Sequence, residues 1–304
     1  HQHAITLIPP QPDLFPAPME KVITGSMLPF LFSEMRKSPY ELIPYVDWFY
    51  NDARSGIRAG QESPRYSSGY AARFHCYGMM TENLIYKPFP GRVLSTYYFI
   101  RALLKFTSEN NALILASRRE GREITKQLTR FPVTFSIDTT RFEMVPFSGY
   151  EMDPDQISKV TGVKRPGYDH RQPYRDTIRW YNRYQPLEFV GVPEYYVLPQ
   201  AWKNVTGRLA LNGIEYLRLQ KDTVIEVSVD YLEDVTGATR PYNGHYYHEK
   251  FTTRTEKQKI RYYAGDWLIP VRQDKMLYIM EMLQPKAKDS FFRWNFFDSI
   301  LDQR

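Results

Sequence analysis

The chain has 304 residues, of which 42% are hydrophobic and 15% aromatic, with 24 Tyr and 18 Phe, and its formal net charge is +6. That length exceeds a typical single domain, and the apolar content can build a core without disulfide or metal staples; the one cysteine, Cys76, rules out an internal disulfide and reads as a small buried residue. The basic residues are interspersed with 34 acidic ones, which excludes the one-sided Lys/Arg footprint of a nucleic-acid binder, and no apolar run reaches the roughly 18 residues that span a membrane.

The first residues, HQHAITLI, carry neither Met nor a signal-peptide pattern, so the chain is expected to enter in mid-domain. Ala4 to Ile8 is predicted as a strand, followed by a Pro-rich connection to Pro18. Met19, Val22, Ile23, Met27 and Leu31 have the spacing of an amphipathic helix to about Met35, with a kink at Pro29. Tyr40 to Val46 reads as a short strand. A polar loop follows from Asp47 to Ser68, long enough to be functional.

The stretch YGMMTENLIYKPFPGRV, Tyr77 to Val93, starts as a buried strand and leads into a helix from Arg92 to about Phe106, with Val93, Tyr97, Ile100 and Leu104 on one face. Ala112 to Ala116 reads as a further short strand. This alternation predicts an α/β layered domain with a mainly parallel sheet. A domain boundary is expected between Glu120 and Thr129. Beyond it, Phe131 to Asp153 and Tyr174 to Pro199 are β-branched and aromatic with turn residues between, the pattern of antiparallel strands. A helix over Gln200 to Leu211 should stop at Asn212-Gly213. Two alternating runs, TVIEVSVDYLEDV and YYHEKFTTRTEKQKIRYYAGDWLIP, predict long strands with one wet face. A last helix is predicted from Gln273 to about Gln284, and the apolar tail DSFFRWNFFDSI is expected to dock back on the body.

Glu82 is the residue that demands an explanation, because a carboxylate among Met79, Met80, Leu84 and Ile85 loses hydration on burial. One reading is a core ion pair with Arg73, Lys87 or Arg92. The other is a ligand-site carboxylate, since the carboxyl ends of parallel strands border the crevice of an open α/β sheet, where an apolar lining would tune it as a general base. The histidines offer less. His245 and His248 would lie on opposite strand faces, His1 and His3 stand at the chain start, and no zinc-binding H-x-x-E or H-E-x-x-H spacing is present. Nor is there a nucleophile elbow, a phosphate loop or a dinucleotide fingerprint. The sequon at Asn204-Val-Thr206 falls in a predicted helix and reads as chance.

The segment SSGYAARFHCYGMMTENLIYKPFPGRVLSTYYF, with the C-terminal pieces PEYYVLPQAW and QPKAKDSFFRWNFFD, resembles the zinc carboxypeptidase family, in particular its large envelope peptidases of Bacteroidetes-like bacteria. The resemblance implies the C-terminal half of a carboxypeptidase-like mixed sheet flanked by helices over residues 1–122, a β-rich (α+β) accessory domain over 123–285, and a docking tail over 286–304. It implies Glu82 as general base and acid on a zinc-bound water, Tyr66 or Tyr70 as a substrate-binding tyrosine, and the C-terminus of a peptide or protein as substrate. The family's H-x-x-E pair, its carboxylate-clamping arginine and its third ligand, a histidine, would all lie before His1. His1 itself is the alternative for that third ligand, so zinc is expected only with the rest of the enzyme. Through the resemblance, the periplasm, outer membrane or extracellular medium of a bacterium is the expected location, and an envelope protein is the expected partner of the accessory domain. The rival readings are an inactive peptidase-fold subunit in binding or assembly and, ranked last, a glycan-binding β-sandwich.

Overall fold

The structure is a computed structural model and describes residues 1–47, 52–153, 155–164 and 167–302. In chain order these form β1 (Ile5–Ile8), α1 (Ala17–Val22), α2 (Leu28–Arg36), β2 (Leu42–Pro44), β3 (Ile57–Arg58), α3 (Ser67–Ala72), β4 (Met80–Asn83), α4 (Phe89–Glu109), α5 (Asn111–Lys126), β5 (Arg130–Ile137), β6 (Glu143–Asp153), β7 (Gly167–Tyr181), β8 (Tyr184–Gly191), β9 (Tyr195–Leu198), α6 (Lys203–Leu211), β10 (Leu217–Arg218), β11 (Thr223–Gly237), β12 (His248–Tyr262), β13 (Trp267–Pro270) and α7 (Met276–Leu283). The fold is of the mixed α/β kind, with several small sheets. It divides into two units that interleave along the chain: residues 1–124 with 136–185, and 125–135 with 186–304. This differs from the expected linear division near residue 122. The reason is packing: Phe147, Ile178 and Trp180 belong to the same buried cluster as Ile5, Leu7 and Ile43.

In the first unit, β1 pairs in parallel with β2 and antiparallel with β4. The expectation of a mainly parallel sheet is thus corrected at the strand that carries Glu82. Met19, Ile23, Met27, Leu31 and Met35 are buried in one stripe, as their spacing requires. A π-helical turn, Ile23–Met27, joins α1 to α2 just before Pro29. Proline cannot donate to the carbonyl four residues back, and the wider turn accommodates that loss. The segment predicted as a strand at Ala112 to Ala116 is the start of α5, because Ala, Leu and Ile in a run without turn residues are also helix formers. The long loop has structure of its own: a short 3-10 turn at Ala53–Ser55, β3, and α3 from Ser67. Its residues 48–51 lie outside the described residues.

Helix α4 has two apolar stripes. Ser95, Phe99, Ala102 and Phe106 are buried, whereas Val93, Tyr97, Ile100 and Leu104, the face expected to pack, are exposed together with Phe89. The β4–α4 turn is exposed too, with Tyr86 at 88%. The predicted buried strand therefore shrinks to four residues at a sheet edge, with Glu82 exposed and the other three half-exposed.

In the second unit, β9, β13 and β10 form a three-stranded antiparallel sheet, and β11 and β12 form a long antiparallel ribbon. Helix α6 ends at Asn212, and Gly213 takes φ +65 and donates to the Ala210 carbonyl (2.8 Å), the left-handed stop that its Asn-Gly sequence predicts. Residues 286–302 pack into this unit: Ala287, Phe291 and Phe292 are buried. The His248 amide donates to the Arg293 carbonyl (2.9 Å), and Nε2 of the buried His248 ring lies 2.7 Å from Asp298 Oδ1. Replacing Asp298 with Asn or Ala should cost about 1–3 kcal/mol, because it weakens a hydrogen bond to a buried ring. A shifted urea midpoint and earlier tryptic release of the tail are the expected readouts, and an unchanged midpoint would refute the clasp.

Candidate functional site

The Glu82 side chain is exposed rather than buried, which corrects the premise on which it was singled out. It sits directly across from Thr6 in the β1–β4 register, and Thr6 in turn pairs with Ile43 on β2. The three side chains share one sheet face, since directly opposed residues point the same way. Thr6 and Ile43 are buried and Glu82 is not, so the face is covered over β1 and β2 and opens at β4. The core ion pair with Arg73, Lys87 or Arg92 is not formed. Among the described residues the Glu82 carboxylate has no hydrogen-bond or ion-pair partner; its backbone carbonyl accepts from Thr6 Oγ1 (3.4 Å).

Its charge is felt by Tyr45, whose phenol is pushed up by burial and then by the negative charges of Glu82 and Asp47. Tyr45 lines a cavity of about 80 Å³ with Ile8, Asp47, Ala59, Glu62 and Trp180. Glu62 is buried, and its Oε2 accepts from Ser68 Oγ on α3 (2.8 Å). This ties α3 to the cavity wall. Helix α3 and its N-cap hold the two candidate tyrosines, which places them on ordered structure rather than on a bare loop. Tyr66 is the N-cap residue, and its hydroxyl accepts from Arg65 Nη2 (3.1 Å). Tyr70 is exposed, with its ring 4.9 Å from that of Phe74. Glu82 and α3 are thus connected through Tyr45, the cavity and Glu62. Tyr45 and Glu62 were not singled out from the sequence; the small-residue run Ser67-Ser68-Gly69 was the available signal. A Cβ at Gly69 would stand 2.2 Å from the Glu62 carbonyl oxygen and 2.3 Å from that of Ser63.

The histidines do not converge. His1 has a buried Nδ1 without a hydrogen-bond partner, and its ring is 6.0 Å from that of His3. His3 is buried; its Nε2 accepts from the Ser148 amide (2.9 Å), which puts the ring proton on Nδ1, 3.7 Å from Glu41 Oε2. Burial chiefly, with nearby positive charges including Arg175 and Lys87, lowers its pKa from 6.5 to about 4. His170 stacks on Tyr150 at 4.5 Å, and His245 stacks on Phe296. No group of three or more His, Cys, Asp or Glu suited to a metal ion occurs among the described residues, at His1 or elsewhere. Cys76, taken as a small buried residue, is half-buried, and its sulfur accepts from Arg118 Nη2 (3.1 Å).

No family model, curated protein or solved structure matches this chain.

Two outcomes follow from this geometry. Gly69→Ala should destabilise the first unit by about 1–3 kcal/mol or more, since backbone atoms must move to admit the methyl group; a melting temperature equal to that of the parent would contradict the close approach. The second concerns acid. The folded chain keeps His3 neutral down to about pH 4, whereas the unfolded chain protonates it near 6.5. The unfolded state binds more protons between those values, so the contribution is fully present above about 6.5 and is lost as the pH falls toward 4. His3→Gln should flatten that part of the acid slope in urea titrations, and an unaltered slope would show that His3 is not the group responsible.

Proposed function

We propose that this chain is the C-terminal part of a zinc-dependent carboxypeptidase-like peptidase that hydrolyses the terminal peptide bond of a peptide or protein, with Glu82 as general base and acid and with the zinc ligands outside this chain. The first unit is then part of a larger catalytic domain, and the β-rich second unit is an accessory domain that meets an envelope protein. One observation carries the reading: a Glu82 carboxylate that is exposed, and unpaired among the described residues, stands on an open sheet edge. The outer edge of β4 has no strand partner among the described residues, and the β4–α4 turn and α4 that follow it expose Tyr86, Phe89, Val93, Tyr97 and Leu104. A patch of this kind marks an interface, and a strand with an open edge is completed by another strand. A segment that brings the metal would therefore dock next to Glu82.

A general base must reach the proton it moves, and an unpaired carboxylate at the rim of a sheet face meets that requirement. Tyr66 and Tyr70 are kept as substrate-binding residues, because Ser68 on the same helix bonds to the cavity wall near Tyr45. The described residues offer no donor set for zinc, so no step of the reaction passes through a metal held by this chain. The location proposed with this function is the periplasm, the outer membrane or the extracellular medium of a bacterium.

The same uncovered surface favours a second reading, an inactive peptidase-fold subunit that uses it for assembly. The two separate in a protein that joins this chain to the segment completing β4. Under the peptidase reading it binds one equivalent of zinc, and Glu82→Gln keeps the zinc while activity on peptide C-termini falls by roughly 10²–10⁴. Unchanged activity in that variant would refute the role of Glu82. Absence of both zinc and activity in the parent protein would leave the subunit reading standing.

A further inference from the structure

The hairpin that joins β6 to β7 ends in three exposed aliphatic side chains within seven residues: Ile157 at 66%, Val160 at 93% and Val163 at 62% exposure. Single exposed aliphatics are ordinary on a protein surface. These three are gathered on one tip, and the backbone that carries them is closed on itself. Ser158 is buried under the turn; its Oγ accepts from the amides of Val160 (3.4 Å) and Thr161 (3.3 Å). The Gly162 amide donates to the Ser158 carbonyl (2.9 Å), the Ser158 amide donates to the Val163 carbonyl (3.0 Å), and the Val163 amide donates to Thr161 Oγ1 (3.4 Å). Gly162 allows this closure by taking φ +67.

We propose that this tip is a membrane-docking knob that enters the headgroup and upper acyl region of a lipid bilayer. In a bilayer, unlike water, backbone amides must be satisfied within the protein, and the tip satisfies five of them. The apolar groups also surround it. Ile157 is bridged to Lys164 and Ser158 is bonded to Val163, so Ile157 and Val163 point to opposite sides of the ribbon, with Val160 at the apex. A protein partner would cover one side of such a tip, whereas a bilayer surrounds it. Lys159, next to the apex, has no ion-pair partner among the described residues, while Lys164 pairs with Asp155 (2.7 Å); the long, flexible stem of Lys159 can carry its ammonium back to lipid phosphate. Farther up the ribbon, half-exposed Tyr168 pairs across to Met152, an aromatic at the depth where interfacial tyrosines collect. This knob is independent of the peptidase reading.

Flotation of this chain with vesicles of phosphatidylethanolamine and phosphatidylglycerol tests the proposal. The parent chain floats with the vesicles. Val160→Asp lowers the bound fraction roughly tenfold or more at an unchanged melting temperature, because a carboxylate is driven into hydrocarbon. Leu211→Asp, an equally drastic change at a residue 89% exposed in the other unit, leaves flotation intact. Failure of the parent chain to float, equal flotation of Val160→Asp, or equal loss in Leu211→Asp would each overturn the assignment.

Discussion

The first unit depends on the burial of β1 between two strands of opposite direction. Ile5 and Leu7 fill one of its faces completely, while its other face carries Thr6 between Ile43 and Glu82. Four residues therefore set both the packing of the α1–α2 stripe and the position of the one carboxylate that the sequence makes conspicuous. β1 is central, so its amides are satisfied on both sides; β4 is an edge, so Glu82 stays in contact with water. The same pairing that makes the core secure leaves the candidate site open.

Much of the fold was legible where a periodicity had a single physical solution. The Met19–Met35 stripe, the Asn212-Gly213 stop and the long β11–β12 ribbon follow from spacing and turn chemistry alone. Legibility ended where two environments share one pattern. On α4, the stripes 93, 97, 100, 104 and 95, 99, 102, 106 both have helical spacing, and the less apolar one, with Ser95 and Ala102, is the one buried. Composition cannot report that a more apolar face is left without a neighbour. Ala112 to Ala116 failed for a related reason: five apolar residues fit a buried strand or a helix, and length decides.

The candidate site shows a different limit. Glu82 stood out because its neighbours are apolar, yet Ile85 and Met80 lie at a rim with it, so local hydrophobicity was misread as burial. What the structure adds is a connection that no sequence pattern announces. Tyr45 and Glu62 line one small cavity, and Ser68 on α3 bonds to the Glu62 carboxylate. Gly69 permits the approach by having no side chain, which no propensity scale records as a contact.

The interleaving of the two units sets how this protein can be taken apart. The chain passes from one unit to the other three times, at 124–125, 135–136 and 185–186, so no single cleavage separates them. A fragment ending near residue 122 would lack Phe147, Ile178 and Trp180 and would begin life with a hole in its core. Isolating the first unit takes three cuts and a bridge from residue 124 to residue 136, and the second unit likewise requires residues 125–135 to be grafted back before Pro186. Covalent order thus enforces that neither unit is completed on the ribosome until β7 has emerged, and synthesis of the two is coupled even where their cores are distinct.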